Sequence, residues 1–375
     1  MTRPLLACAT VTLLALACGT EPLEPTLPSP DSTPEISAFD SGRTAYGFFP
    51  SPPEISFASV LGHMRDLSQH ADFVLLQPNI PWESVLTEPG EETQALTDIR
   101  NQVILAEQNG LEVIFVVDPL NGLNRSEFMG LPQGWQPSFA TPEVRTAFAN
   151  FTAWIVREFR PRYLGLASEI NTYADAHPVD FPHYLSLYRQ VYAQVKAASP
   201  DTQVFVTFQW EDLNNLFVGA NEGRQPHAVN WDQIEAFEPQ LDLWVISSYP
   251  FGALQGGPEM AADYYTPLLG RTQKPLAVAE GGFTSEPVGP LAGTPQDQVD
   301  YLHAIHDQLG PRLRFWVYLL LNDFSLDSYA QAMRTSGAGE QDINTLGMFA
   351  AAGLRQADGT PKPALAVWDG FRLGR

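Results

Sequence analysis

Glu169 closes the stretch "YLGLASE" directly behind Leu164, Leu166 and Ala167, and Glu280 closes "PLAVAE" in the same way. An ionised carboxylate is costly to bury unless something pairs with it. Each glutamate therefore either leaves its apolar run for solvent or is held in a pocket that uses it. Two carboxylates about 5–5.5 Å apart suit cleavage of a glycosidic bond with retention, one as acid/base and one as nucleophile; about 6.5–9.5 Å suits inversion. Their surroundings must differ. Burial and a nearby negative charge keep a proton on the acid, while hydrogen bonds keep the nucleophile ionised.

Such a pair depends on the elements that carry it. Eight β-rich apolar runs recur from residue 41 onward. They are "TAYGFF" at 44, "ADFVLLQ" at 71, "EVIFVV" at 112, "RYLGLA" at 162, "QVFVTFQ" at 203, "LDLWVISSY" at 241, "PLAVAE" at 275 and "LRFWVYLLL" at 313. Each precedes a polar loop and an amphipathic stretch, the βαβ pattern. Continuous rather than alternating apolar character marks strands of a parallel sheet covered on both faces. "TPEVRTAFANFTAWIVREF" reads as a helix, with Thr141 as N-cap, Pro142 in the first turn and apolar residues at 148, 151, 154, 155 and 159. "FPHYLSLYRQVYAQVKAA", "TPQDQVDYLHAIHDQL" and "KPALAVWDGFRL" read alike. The expected fold is α/β, a (β/α)8 TIM barrel forming a single domain over residues 41–375. A doubly wound open sheet is the runner-up, disfavoured because "YGFFPSPPE" carries no G-x-G-x-x-G after the first strand.

Barrel chemistry sits at the C-terminal ends of the strands and in the loops that follow. Those ends carry Gln77, Asn79 and Trp82 after strand two, Asp118 and Asn121 after strand three, and Ser168, Glu169 and Asn171 after strand four. Gln209, Trp210 and Glu211 follow strand five, and Ser247, Ser248 and Tyr249 strand six. Glu280 ends strand seven, and Asn322 and Asp323 strand eight. Aromatic faces stack on the C–H-rich surfaces of sugars, while amides and carboxylates bind hydroxyls. The expected carbohydrate contacts are Asn79, Trp82, Asp118, Ser168, Asn171, Gln209, Trp210, Glu211, Tyr249 and Asn322.

On these residues the chain resembles the clan of retaining (β/α)8-barrel glycoside hydrolases that carry the acid/base on strand four and the nucleophile on strand seven. "GLASEINTY" matches the first position and "PLAVAEGGF" the second. "VISSYPF" resembles the strand-six segment whose tyrosine, here Tyr249, hydrogen-bonds the nucleophile, and "GLRQADGTPKPALAVW" resembles the closing segment. Within the clan, strands four and six are loosely like the endo-β-1,4-galactanases. The resemblance implies that Glu169 is the acid/base and Glu280 the nucleophile of an enzyme acting on β-linked polysaccharide or oligosaccharide. One position departs: the clan places Asn, a ligand of the sugar 2-hydroxyl, immediately before the acid/base, and this chain has Ser168. A groove that binds glycan without turnover is the alternative that Ser168 motivates.

Plainer readings stand beside these. Glu169 could be a structural carboxylate paired with Arg162 or Arg43. Glu211 is as much a solvated residue as a subsite, and Asp118 before Pro119 suits a loop cap. Trp316 lies inside a strand and reads as core. His303 and His306 share a helix face on the expected outer ring, which reads as solvated surface. No H-E-x-x-H, G-x-S-x-G or P-loop occurs, so serine-hydrolase and nucleotide chemistry are disfavoured and no metal or cofactor is expected.

With 21 Lys+Arg against 43 Asp+Glu, the net charge of -22 repels nucleic acid and anionic lipid, whereas a neutral sugar is not penalised. Residues 1–17 read as a lipoprotein-type signal peptide, with Arg3 before the apolar "PLLACATVTLLALA" and "ALAC" before Cys18, the expected acylation site. Ordinary secretion is the rival. The prolines at 22, 25, 28, 30 and 34 make residues 18–40 an extended tether. The expectation is a monomer at the cell envelope, lipid-anchored and otherwise free of the membrane. With Cys8 removed with the signal peptide, no disulfide is expected.

Overall fold

All eight apolar runs form strands, and they pair in parallel into one barrel. The staves are β1 (Ala45–Phe48), β2 (Phe73–Leu76), β3 (Glu112–Val116), β6 (Tyr163–Gly165), β7 (Gln203–Phe205) with β8 (Thr207–Gln209), β9 (Trp244–Ser248), β10 (Leu276–Gly281) and β11 (Leu313–Tyr318). Strands β4 (Leu120–Asn121) and β5 (Asn124–Phe128) form a separate antiparallel hairpin after β3. β7 and β8 are two halves of the fifth stave. The first half pairs with β6 and the second with β9, while β1 pairs with both β2 and β11, so the ring closes. The computed structural model describes residues 37–87, 93–217, 223–253, 260–289 and 291–374. The expected signal peptide, Cys18 and the tether as far as residue 36 lie outside them.

A helix follows each stave on the outside: Phe57–His70, Gln94–Gln108, Pro142–Phe159, Phe181–Ala198, Trp231–Glu235, Pro267–Arg271, Pro295–Leu309 and Pro363–Leu373. Thr141 sits at the N-cap position of Pro142–Phe159, but its hydroxyl donates to the carbonyl of Gln136 and caps nothing. Thr294 does cap its helix, accepting from the backbone N–H of Asp297. Trp316 is fully buried. His306 stacks on Phe371 at 3.8 Å between centroids, so the outer-ring histidines pack against the last helix while staying partly exposed.

Aromatic rings fill the N-terminal end of the barrel. Phe315 contacts Phe73, Tyr163 and Phe205, and Phe39 lies against Phe73 and Tyr163 from below. The Phe73 ring passes so close to Gly47 that a Cβ there would meet it at 2.5 Å. Ser37 and Ala38 donate to the Glu112 carboxylate, so packing begins inside the segment read as tether. Each ring pair adds roughly 0.5–1.5 kcal/mol beyond area burial. This apolar floor leaves the polar groups to gather at the opposite end.

One core residue breaks the hydrophobic pattern. His63 is buried, and neither ring nitrogen has a hydrogen-bond partner. Burial, helped by the Arg355 charge, pushes its pKa down to about 3. The unfolded chain takes up this proton near pH 6.5 while the folded one refuses it. Stability is therefore fully present above about pH 6.5 and falls toward pH 3, by roughly 1.4 kcal/mol per pH unit at most. Chemical unfolding between pH 4 and 7.5 should show a shallower acid loss in His63→Leu than in the parent. Parallel curves would rule out this histidine as the cause.

Candidate active site

Glu169 and Glu280 converge on one buried guanidinium. Arg125 donates from Nε to Glu169 Oε2 at 3.0 Å and from Nη1 to Asp118, and its Nη2 lies 3.8 Å from Glu280 Oε2. Arg125 is 0% exposed and both glutamates are 1% exposed. The three carboxylates leave the cluster with a net negative charge. The cavity of about 380 Å³ beneath the floor, by Phe39 and Arg160, and that of about 460 Å³ beside His177 and His183 include neither glutamate.

Local backbone explains how each side chain arrives. Glu169 sits at the N-cap position of the short helix Ile170–Ala176 in the left-handed region, φ 50° and ψ 41°, and its side chain caps nothing. That conformation is uncommon for a residue with a Cβ and costs on the order of 1–3 kcal/mol. Thr207, on the neighbouring stave, holds it by accepting from the Glu169 N–H at 2.7 Å. Glu280 follows a bulge. Val278 pairs with Ile246 but Glu280 pairs with Ser247, so Ala279 is the extra residue that re-aims the carboxylate.

Strand alternation sorts the remaining polar groups. Ser247 and Tyr249 face the barrel axis, whereas Ser248 between them faces the helices. Ser247 Oγ donates to Glu169 Oε1 at 2.5 Å, and the Tyr249 hydroxyl donates to Glu280 Oε1 at 2.9 Å. Ser248 Oγ donates instead to Glu211, which also accepts from the Tyr264 hydroxyl, the Tyr249 N–H and Gln209 Nε2. Burial pushes the Glu211 pKa up against these donors. Glu211 is thus buried and fully engaged rather than solvated.

The other expected contacts divide similarly. Ser168 is buried beside the pair, with its Oγ 3.5 Å from Glu280 Oε2 and 3.1 Å from Thr207 Oγ1. Asp118 accepts from the Leu120 N–H as the loop cap foreseen and also from Gln77 and Arg125; burial raises its pKa while Arg125 pulls it back. Asn171 bonds the backbone of Gln209 and the Asp212 carboxylate. Gln209 is held by Glu211 and the Asp212 N–H. Trp210 is buried with its indole N–H on the Tyr264 carbonyl. Trp82 is buried against Phe128 and Trp135, its N–H on the Met129 carbonyl, and so braces the hairpin that carries Arg125. Asn79 is exposed, and Asn322 bonds the Gln356 carbonyl.

Glu169 does have an arginine partner, but neither one named from the sequence. Arg43 pairs with Asp72 and Arg162 with Asp40. Sequence reasoning missed Arg125 and Thr207, and it set Ser247 at the end of strand six without counting it among the contacts. The available signal was "LNGLNRSEF", an Asn-Gly turn between short extended runs, which marks a hairpin able to carry an arginine across the mouth. Among the described residues, no group of His, Cys, Asp and Glu is arranged to hold a metal ion.

No protein-family model matches this sequence, and no curated protein is similar to it. Solved structures share its architecture. A family 39 glycoside hydrolase from the gut symbiont Bacteroides cellulosilyticus is 18% identical at a TM-score of 0.55, over 90% of this chain and 65% of that one. The exo-β-1,4-mannosidase of an Opitutaceae bacterium is 11% identical at a TM-score of 0.63, over 88% of this chain and 59% of that one. Xylanase 10B from Thermotoga petrophila, solved with xylobiose, is 12% identical at a TM-score of 0.60, over 92% and 99%. The chain therefore spans less than two thirds of the first two proteins. At these identities the likeness establishes the fold, a (β/α)8 barrel.

Proposed function

We propose that this barrel is a retaining glycoside hydrolase acting on β-linked glycans, with Glu280 as nucleophile and Glu169 as acid/base. The observation that carries the reading is the convergence of carboxylates from the fourth and seventh staves on Arg125, with Tyr249 bonded to Glu280. In the first step a Glu280 oxygen bonds to the anomeric carbon as the glycosidic C–O bond breaks, and the departing oxygen takes the Glu169 proton. In the second step Glu169 takes a proton from water, whose oxygen displaces Glu280.

The hydrogen bonds suit the two roles unequally. Glu280 receives donors, which favour its ionised form. Glu169 Oε2 is occupied by Arg125, which has no acceptor to offer a carboxyl proton. Its Oε1 meets Ser247, whose hydroxyl can turn from donor to acceptor, so Oε1 is the oxygen able to carry the proton. The folds of the neighbours, solved as glycosidases, are consistent with this chemistry. A panel of aryl β-glycosides and β-linked polysaccharides tests it, with product anomers followed by NMR. Release of the β-anomer first is expected. The α-anomer first would mean inversion, and binding without any release would leave a glycan-binding barrel.

A further inference from the structure

Arg125 has donors to spare. Its Nε and Nη1 are engaged by Glu169 and Asp118, but Nη2 is buried without a hydrogen-bond partner. An unmade hydrogen bond in a buried guanidinium is costly, so the structure tolerates it or reserves it for a ligand. Its position favours a ligand. Nη2 stands 3.8 Å from Glu280 Oε2, beyond hydrogen-bond range, and Ser168 Oγ approaches the same oxygen at 3.5 Å.

A sugar bonded to Glu280 brings the hydroxyl of its neighbouring ring carbon close to this carboxylate. Hydrogen bonds to that 2-hydroxyl strengthen in the transition state. The residue ahead of Glu169 is a serine with one short hydroxyl, already shared with Thr207. The hairpin supplies a longer donor from the other side. Trp82 holds it through Met129, and His177 Nε2 meets the Ser126 carbonyl at 2.7 Å, so the guanidinium is fixed before any sugar arrives.

Resting on the hydrolase reading, we propose that Arg125 contacts the substrate directly: its Nη2 donates a charge-assisted hydrogen bond to the 2-hydroxyl of the sugar held at Glu280, in the place left open by Ser168. The site thereby selects sugars with a free hydroxyl on that carbon. Ser168 and Arg125 together take the part that one longer amide would otherwise play.

The test compares kcat/KM for a nitrophenyl β-glycoside and its 2-deoxy analogue in the parent, Arg125→Gln and Arg125→Lys. Intrinsic reactivity differs between the two substrates but cancels when preferences are compared across proteins. A charged hydrogen bond predicts that the preference for the 2-hydroxyl falls about 10- to 100-fold in Arg125→Gln. Arg125→Lys, which keeps a cationic donor, should retain part of it. A purely structural arginine would depress both substrates equally and leave their ratio unchanged, which overturns the proposal. If the glutamine variant does not fold, the lysine variant carries the measurement: an unchanged ratio, whatever the rate, overturns it, and a reduced ratio supports it. A parent protein inactive on every glycoside would instead sink the hydrolase reading beneath.

Discussion

Glu280→Gln is expected to lower kcat on aryl β-glycosides by on the order of 10⁴-fold or more, because no covalent intermediate can form without the carboxylate. Loss of folding does not explain such a result. Arg125 faces three carboxylates, and removing one charge brings the cluster nearer neutrality. The melting temperature should therefore hold or rise, unlike the usual outcome of breaking a buried pair. Glu280→Gly with azide provides a sharper readout. Azide entering from the vacated face gives the α-glycosyl azide. Wild-type turnover in Glu280→Gln would remove this residue from the mechanism.

Glu169 should behave differently, and the contrast identifies its role. Replacing it with alanine removes the proton donor to the leaving group, a loss of about 10²- to 10⁴-fold on substrates with poor leaving groups. Dinitrophenyl glycosides need no protonation to depart, so they should still load Glu280 and then stall at deglycosylation. Azide, which needs no base, should restart that step and yield the β-glycosyl azide. An equal loss on good and poor leaving groups, with no azide product, would mean that Glu169 merely holds Arg125. That outcome is chemically sensible, since Arg125 already binds one of its oxygens.

His63 and Arg125 are both buried polar side chains with an unpartnered nitrogen, yet they lead to different expectations. His63 escapes its cost by staying neutral, and the consequence is acid sensitivity. Arg125 cannot lose its proton, so it must be surrounded by carboxylates. The two glutamates are among them. Charge balance at the mouth and the chemistry proposed for it therefore share the same atoms.

Periodicity and composition determined much of this molecule. Eight continuously apolar runs, each followed by an amphipathic stretch, admit few packings other than a closed parallel barrel, and every run became a stave. The chain order alone also placed Glu169 and Glu280 at the C-terminal ends of staves four and seven, with Tyr249 on the sixth. What surrounds them was settled only by tertiary contacts. Ser248 turns away from Ser247 because side chains alternate along a strand, and it bonds Glu211, which lies in the short helix Trp210–Leu213 after the fifth stave; a one-residue bulge at Ala279 sets the aim of Glu280. Arg125 belongs to a hairpin whose own sequence marks a turn but says nothing of where its tip will land. Its landing place depends on Trp82 and His177, residues distant along the chain whose approach is a consequence of the closed ring, and on Asp118 just ahead of the hairpin.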